Sequence, residues 1–282
     1  MSVHEETLSG RDFSKLCDFV YSEAGIRLGP EKKTMLEGRL KRRLRELNID
    51  SYKGYCEYLF GDEGQRREIT SFIDVVTTNK TDFFREPKHF DYLTQRALPE
   101  LAARAAGQPL LVWSAGCSSG EEPYTLAMLL SEFGETRPGF RFHVLATDIS
   151  TKVLAKAELG IYSGDDVEPV PLPLRRKYLM RSRERDAGQV RIVPELRKLV
   201  EFRRLNFMDS DYGVAEKVDA VFCRNVIIYF DRPTQEKILG RLSSYLKPGG
   251  YLFVGHSETL HDMDLPLEAL GPALYRRLHG RC

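Results

Sequence analysis

The larger, C-terminal part of this chain alternates short apolar runs with stretches of helical periodicity. Leu110–Trp113, Phe142–Ala146, Asp219–Cys223 and Tyr251–Val254 are such runs, and each has the length of a strand that is buried on both faces. Strands that alternate with helices predict a parallel sheet with helices on both sides, which is an α/β fold. The last apolar stretch, Leu270–Leu278, predicts a terminal hairpin.

The N-terminal part, from about residue 10 to residue 78, is predicted to be all helical. Its first apolar residues recur at i, i+3, i+4, i+7 and i+8, and Gly25 follows where a helix C-cap is expected. A second helix begins near Pro30, and two more are predicted over Tyr52–Leu59 and Ile69–Val76.

A polar stretch without helical periodicity, TTNKTDFFRE, separates the two parts. The predicted boundaries are therefore an all-helical domain at 1–78, a linker at 79–86 and an α/β domain at 87–282, which opens with a helix from Pro87 to about Ala106. The polar residues of the linker suit the wall of a pocket. The alternative is a plain hinge whose paired phenylalanines pack between the domains.

The region after the second strand contains an insertion. Residues 160–187 are predicted to be largely irregular, because three prolines between 169 and 173 interrupt any helix. Residues 189–193 and 200–205 both alternate apolar and polar side chains. They predict a small antiparallel insertion at about 188–205, beside the main sheet.

The turn after the first apolar run, residues 114–120, consists of small residues, and Glu121, Glu122 and Pro123 open the helix that follows. Such a strand–turn–helix unit lets a ligand approach the backbone closely. Two carboxylates without a lysine would repel a phosphate, and they suit a cationic amine or sugar hydroxyls. The alternative is an ordinary tight turn of an α/β protein.

Polar residues also end three other predicted strands. Asp148 ends the second strand, where ribose hydroxyls are bound in dinucleotide-type folds. Asn206 and the pair Arg224–Asn225 end two later strands. Ligands of wound parallel sheets bind outside the carboxyl ends of the strands. We therefore expect these residues to meet the glycine-containing turn at one site.

Composition narrows the class of protein. Hydrophobic residues make up 42% of the 282 residues, the net charge is +1, and no apolar run has membrane-spanning length. We expect a soluble, cytoplasmic monomer that neither inserts into membranes nor is drawn to nucleic acid by its overall charge. Five cysteines without a CxxC pair predict reduced thiols and no metal site. Cys117 and Cys223 are interpreted as small space-filling residues rather than a redox pair.

The second predicted helix is strongly basic. It has two interpretations: a solvated face, or a docking surface for an acidic partner, since clustered cations act within a Debye length of about 8 Å. Its cations are Lys32, Lys33, Arg39, Lys41, Arg42, Arg43 and Arg45.

Six segments, in this order, make the chain resemble the CheR family of chemotaxis-receptor glutamate O-methyltransferases: TTNKTDFFRE, WSAGCSSGEEPYTLAM, LATDIS, FRRLNF, FCRNVIIYFDR and GGYLFVGHSE. The resemblance covers nearly all of the chain from residue 77, with a family-like helical domain before it. It implies a Rossmann-like methyltransferase domain with a small antiparallel β-subdomain. It also implies S-adenosylmethionine as cofactor, S-adenosylhomocysteine as product and receptor glutamates as methyl acceptors.

The resemblance also implies roles for single residues. Asp148 would bind the ribose and Glu121 would be the loop acid. We hypothesise that Arg85 and Tyr229 orient the acceptor carboxylate or the methionine end, although Tyr229 is equally well interpreted as a core aromatic. His256 is not needed as a base, because an ordinary glutamate is already ionised at neutral pH. The full set of expected cofactor-binding residues is Asn79, Thr81, Arg85, Gly116, Glu121, Asp148, Asn206, Phe207, Arg224 and Asn225.

Two partner surfaces follow from the resemblance. The basic helix at Lys32–Arg45 would dock on the acidic, glutamate-bearing helices of a chemotaxis receptor, and the β-subdomain could hold a C-terminal receptor peptide. Two other functions stay open. One is methylation of nucleic acid, although the segment CRNVIIYF argues against it. The other is a module that senses the cofactor without catalysing a reaction.

Overall fold

The computed structural model describes residues 7–181 and 188–280. The N-terminal part consists of helices, as predicted, but it has one more than the sequence indicated. The helices are α1 (Gly10–Ala24), a 3-10 turn (Pro30–Lys32), α2 (Lys33–Leu47), α3 (Tyr52–Phe60), α4 (Asp62–Arg67) and α5 (Ile69–Val76).

Helix α4 was missed because its sequence, DEGQRR, contains no apolar side chain and so has no hydrophobic period. It packs through Gly64, where a Cβ atom would lie 2.0 Å from the carbonyl oxygen of Tyr58. The predicted C-cap at Gly25 is confirmed, with φ +69° and its N–H donating to the Tyr21 carbonyl at 2.8 Å. The core of this part includes the fully buried Leu16 and Leu40.

The C-terminal part is the predicted α/β fold, built on a seven-stranded sheet of order β6-β2-β1-β7-β8-β10-β9. The first five strands in that order are parallel, and the C-terminal hairpin is antiparallel and begins three residues earlier than predicted. The strands are β1 (Leu110–Ala115), β2 (Phe142–Asp148), β6 (Val200–Arg204), β7 (Val218–Cys223), β8 (Leu246–Val254), β9 (Leu267–Gly271) and β10 (Leu274–Arg277).

Helices cover both faces of this sheet. The helix predicted from Pro87 is one continuous element with a π-helical turn at residues 93–97. A buried cluster around Phe90, Leu98 and Phe222 lies on one face, and another around Trp113 and Leu242 lies on the other. The helices are α6 (Pro87–Tyr92), α7 (Leu98–Arg104), α8 (Glu121–Glu135), α9 (Thr151–Leu159) and α12 (Arg232–Tyr245).

The predicted antiparallel insertion exists, but its boundaries were wrong. β5 (Gln189–Ile192) is the middle strand of a three-stranded antiparallel sheet with β3 (Ile161–Ser163) and β4 (Leu179–Arg181). β6, the second strand assigned to the insertion at 188–205, instead pairs in parallel with β2 at the edge of the main sheet. Both strands alternate, and alternation shows that a strand is half buried without showing its partner. The short helix α11 (Pro194–Arg197) separates the two sheets.

Within its described part, residues 160–181, the region predicted to be irregular contains the helix α10 (Leu172–Tyr178). Pro173 lies in its first turn, where a missing N–H costs no intrahelical hydrogen bond. The prolines therefore mark where this helix begins. The last six residues of the predicted stretch, 182–187, lie outside the described residues.

Candidate functional site

A cleft lies at the carboxyl ends of β1, β2, β6 and β7, between the α/β part and the N-terminal helices. Residues predicted from separate segments meet in its wall, and Glu121 alone of the predicted set is not among them. The predicted residues that line the cleft are Asn79, Thr81, Arg85, Gly116, Asp148, Asn206, Phe207, Arg224, Asn225 and Tyr229.

The turn after β1 is shaped to bring a ligand close to the backbone. Gly116 has φ +87°, and a Cβ atom there would lie 2.4 Å from Cγ2 of Val226. The N–H groups of Gly116 and Cys117 both donate to the carbonyl of Thr147, at 2.7 and 2.9 Å. The turn is therefore fixed against the end of β2. Because residue 116 is a glycine, no side chain covers the backbone at this point of the cleft wall.

Asp148 is held in place at the end of β2. Its Oδ2 accepts the backbone N–H of Ser118 and its Oδ1 accepts that of Ser150, both at 2.9 Å. Burial raises the pKa of this carboxyl, and the backbone hydrogen bonds oppose the rise. Each oxygen keeps a further acceptor position, as binding a pair of sugar hydroxyls requires.

The two acids at the start of α8 have different surroundings. Glu121 is 4% exposed, accepts the Ser119 hydroxyl at 2.8 and 3.0 Å, and has a pKa raised by burial. Glu122 lines the cleft and accepts the Ser114 hydroxyl at 2.7 Å. The expectation for Glu121 is corrected here, because neighbouring positions of a helix point about 100° apart and only one of the two acids can face the cleft.

Arg224 lies between two carboxylates. Its side chain is 2% exposed, with Nη1 3.0 Å from Oε2 of Glu122 and Nη2 3.1 Å from Oε2 of Glu86. Nη2 also donates to the carbonyl of Arg85, and the guanidinium carbon lies 5.2 Å from the centre of the Phe90 ring. A buried cation held by two acids is compensated in charge and fixed in position.

Glu258 was missed as a site residue, although it ends the quoted segment GGYLFVGHSE. It is 5% exposed, and its carboxylate accepts the backbone N–H groups of Asn225 and Val226, each at 2.9 Å, and that of Gly255 at 2.5 Å. Asn225, at φ +58°, forms the bend of the cleft wall. The sequence feature that could have identified Glu258 is its place directly after the last parallel strand.

The linker fits its interpretation as a pocket wall, and Phe83 and Phe84 pack in the core of the α/β part rather than between the domains. Asn79 accepts the Ser118 hydroxyl through its carbonyl at 3.0 Å, so that the linker runs along the glycine-containing turn. Phe83 is buried, with its ring centre 4.9 Å from that of Tyr162. Tyr229 is half-buried in the cleft wall, and burial raises the pKa of its hydroxyl. It is not simply a core aromatic.

The N-terminal helices close one side of the cleft. The Asn206 side chain donates to the Glu23 carbonyl at 2.7 Å, and the N–H of Arg27 donates to the Tyr229 carbonyl at 2.9 Å. Arg27 and Lys32 line the cleft as well. Sequence reasoning placed the site at the strand ends and the linker; it assigned Lys32 to the docking surface and gave Arg27 no role.

Below the cleft, Glu86, His89 and His256 hold possible metal-ligand atoms within 4.8 Å of one another. Burial lowers the pKa of His89 to about 4, and neither of its ring nitrogens has a hydrogen-bond partner among the described residues. The guanidinium of Arg224 already binds Glu86, and its positive charge opposes a metal cation. His256 is not part of the cleft wall, so it fits its structural interpretation.

Burial explains the chemistry of the cysteines near the site. Cys117 and Cys223 are fully buried, and burial raises the pKa of both thiols well above the usual range. Cysteines of this kind are inert. Cys17 and Cys56 are also free thiols, and Cys282 lies outside the described residues.

The basic helix is α2, and its cations are not equivalent. Arg43 binds the buried Glu68 at 2.6 Å, and Arg39 donates to backbone carbonyls of the linker region. Arg42, by contrast, has a side chain that is 74% exposed, and Arg45 is exposed too. The helix therefore combines cations that hold the fold with exposed cations, of which Arg42 pairs with Glu46 at 3.0 Å on the same helix.

Two family models match this chain. One is described as the CheR methyltransferase SAM binding domain and matches residues 79–272. The other is described as the CheR methyltransferase all-alpha domain and matches residues 11–77.

Similar curated proteins agree along most of the chain. A chemotaxis protein methyltransferase of Borreliella burgdorferi is 41% identical over 270 residues, which cover 94% of each chain. The chemotaxis protein methyltransferase of Salmonella typhimurium is 40% identical over 268 residues, covering 95% of this chain and 90% of the other. That of Escherichia coli is also 40% identical over 268 residues, covering 95% and 91%.

Proposed function

Because the chain belongs to the CheR family of S-adenosylmethionine-dependent chemotaxis methyltransferases, we propose that it methylates glutamate side chains of chemotaxis receptors. The products are glutamate methyl esters and S-adenosylhomocysteine. The single observation that carries the proposal is the meeting of strand-end residues and linker residues in one cleft. The division of the chain at residues 78 and 86 remains our prediction.

The donor set of the cleft fits the cofactor. The carboxylate of Asp148 suits the ribose hydroxyls, and the bare wall at Gly116 admits a ligand against the backbone. Glu122 takes the role first assigned to Glu121 and faces the ammonium of the methionine part. Asn206 and Phe207 flank the adenine.

The remaining cofactor contacts come from the linker and from β7. Asn79, Thr81 and Arg85 approach the cofactor from the linker side of the cleft. Arg224 and Asn225 lie beside the methionine part, where Arg224 holds Glu122 in its orientation. The carboxylates of Glu122 and Asp148 in the cleft wall support this assignment, since the cofactor brings a sulfonium and an amino group.

The bound cofactor supplies a methyl group on a positively charged sulfur. That methyl group would pass in line to a glutamate oxygen: a C–O bond would form, the C–S bond would break, and its electron pair would stay on sulfur. The acceptor is already ionised, because an ordinary glutamate has a pKa of about 4.3. No proton has to move, and the protein acts by alignment, which can supply roughly 7 to 11 kcal/mol.

Two side chains of the cleft are suited to orient the acceptor. Arg85 can donate to its carboxylate, and so can the hydroxyl of Tyr229, whose pKa burial raises. The N-terminal helices exclude water from the same region, where the reacting anion and sulfonium lose their charges. Both roles are proposals for residues that line the wall.

The receptor would meet the exposed cations of α2 with an acidic, glutamate-bearing helix. β4 is an outer strand of the small sheet, so it could add a receptor C-terminal peptide as a further strand. No helix in the described ranges is long and apolar enough to cross a membrane. We propose a monomer that acts on the receptor from the cytoplasm.

Two measurements test the function. Transfer of radiolabelled methyl groups to receptor-bearing membranes should produce base-labile esters on the receptor, with no label in added nucleic acid. Titration with S-adenosylhomocysteine should show binding that Asp148→Asn weakens and that Asp262→Asn, at an exposed position, leaves intact. Binding without transfer would favour a sensing module, and label in nucleic acid would favour the other enzyme class.

A further inference from the structure

The guanidinium of Arg39 lies between α2 and the beginning of the linker. Its Nη1 donates to the carbonyl oxygens of Val75, Val76 and Thr77 at 3.1, 2.8 and 2.8 Å. Its Nη2 donates to Oγ1 of Thr78 at 3.2 Å. One side chain of the basic helix thus contacts four consecutive residues where α5 ends.

These contacts satisfy a definite need of the backbone. The last carbonyl groups of a helix have no partner within that helix, and a cation at this end also favours the helix dipole. The planar guanidinium of Arg39 reaches these acceptors with two nitrogens held at a fixed separation, Nη1 at the carbonyl groups and Nη2 at Thr78 Oγ1, whereas a lysine has a single nitrogen. Arg39 therefore binds both the last carbonyl groups of α5 and the first residues of the chain that leaves it.

The chain leaves α5 directly into the proposed cofactor site. Thr77, Thr78 and Asn79 all line the cleft. The carbonyl of Asn79 accepts the Ser118 hydroxyl at 3.0 Å, and the N–H of Ser118 donates to Asp148 at 2.9 Å. A short series of hydrogen bonds therefore connects α2 with the proposed ribose-binding acid.

We propose that Arg39 is a positioning residue for the cofactor site, which holds residues 77–79 against the glycine-containing turn through its forked donors. This inference rests on the proposed location of the cofactor. Arg39 thereby differs from the docking cations of the same helix. Docking needs only a positive charge, whereas positioning needs the two guanidinium nitrogens of Arg39. A lysine substitution keeps the positive charge and removes the planar guanidinium, so the two contributions can be tested separately.

The experiment compares Arg39→Lys and Arg39→Gln with Arg42→Lys and Arg42→Gln on the same helix. The dissociation constant of S-adenosylhomocysteine is measured by calorimetry, and KM and kcat are measured for the cofactor. Both Arg39 variants should weaken binding about tenfold and raise KM, since at least one charge-assisted hydrogen bond is lost. Both Arg42 variants should bind S-adenosylhomocysteine like the unaltered protein, because Arg42 does not line the cleft, and only this binding serves as the control.

An Arg39→Lys variant that binds S-adenosylhomocysteine normally would overturn the proposal, because charge alone would then suffice. Asp148→Asn tests the location separately: if it leaves binding intact, the assumed cofactor site is wrong, whatever Arg39 does. If the Arg39 variants do not fold, Thr78→Val in the otherwise unaltered protein removes the Thr78 hydroxyl as an acceptor of Arg39 Nη2. This variant should bind S-adenosylhomocysteine more weakly, and normal binding would contradict the positioning role.

Discussion

The carboxylate of Glu258 accepts the backbone N–H of Asn225 at 2.9 Å and so joins the ends of two neighbouring parallel strands. It also accepts the N–H groups of Val226 and Gly255. Asn225 has a positive φ and lines the cleft. A buried acid thus holds a bend of the site without facing the ligand itself.

Replacing Glu258 with glutamine tests this role. The amide keeps one acceptor oxygen and turns an N–H₂ group towards backbone donors, so the free energy of unfolding should fall by about 1 to 3 kcal/mol. The affinity for S-adenosylhomocysteine should fall as well, because the Asn225 bend loosens. Urea unfolding and calorimetry measure the two effects.

The control for Glu258→Gln is Glu268→Gln, since Glu268 is 52% exposed and pairs only with Arg276 among the described residues. It should change neither quantity. A Glu258→Gln protein with normal stability and normal ligand affinity would show that the three backbone contacts are dispensable.

His89 should make the folded state sensitive to acid. Burial and the charge of Arg224 lower its pKa from 6.5 to about 4. Between these values the unfolded chain binds more protons, so the free energy of unfolding falls as the pH falls from about 6.5 to about 4, by at most about 3 kcal/mol. His89→Phe should flatten this part of the pH profile, as measured by urea unfolding at several pH values.

His261→Asn is the matched control for the pH profile, because the His261 side chain is 84% exposed. It should keep the acid-dependent loss of stability that the unaltered protein shows. If the free energy of unfolding of His89→Phe changes with pH as it does in the unaltered protein, groups other than His89 cause the loss of stability in acid.

Arg85→Lys and Tyr229→Phe should separate catalysis from cofactor binding. Both side chains line the cleft and are proposed to orient the acceptor. We expect kcat to fall at least about tenfold, since about 1.4 kcal/mol of alignment in the transition state corresponds to that factor. The dissociation constant of S-adenosylhomocysteine should change little in Tyr229→Phe, and it should rise in Arg85→Lys, because Arg85 is also a proposed cofactor contact. Methyl transfer with saturating cofactor measures the rate, and calorimetry measures the dissociation constant of S-adenosylhomocysteine.

Arg11→Lys provides the comparison for Arg85→Lys, because Arg11 is an exposed residue of α1 and is not in the cleft wall. Transfer at the normal rate by Arg85→Lys or Tyr229→Phe would remove that residue from the proposed mechanism.

Charge reversal at Arg42 and Arg45 should weaken receptor methylation. Both residues are exposed on α2, where positive charge would attract an acidic receptor helix and would do so less at high salt. The KM for the receptor should rise, with normal binding of S-adenosylhomocysteine. Methylation rates over a range of receptor and salt concentrations measure this effect.

The comparison for this pair is charge reversal at Arg11 and Arg66, which are exposed cations of α1 and α4. Unchanged receptor KM in the Arg42 and Arg45 protein, or an equal rise in the comparison protein, would contradict docking by α2. Arg39 and Arg43 are left intact in this test, because they hold the backbone at the end of α5 and the buried Glu68.

The sequence by itself determined the fold class and most of the site. Apolar runs ending in Gly116, Asp148 and Arg224 had to become buried parallel strands, and the carboxyl ends of parallel strands meet at one edge of a sheet. Polar residues at such ends therefore come together even when they lie far apart in the chain. The same reasoning predicted the helical N-terminal part from its 3.6-residue period.

Only the tertiary structure decided which neighbours a half-buried or charged residue has. Alternation in β6 did not show whether it pairs with β5 or with β2, and two adjacent acids did not show that Glu122, not Glu121, faces the cleft. A run of cations did not distinguish Arg39, which binds backbone carbonyls, from Arg42, which is exposed. Periodicity records how much of a residue is buried, whereas its partner depends on contacts between segments far apart in the sequence.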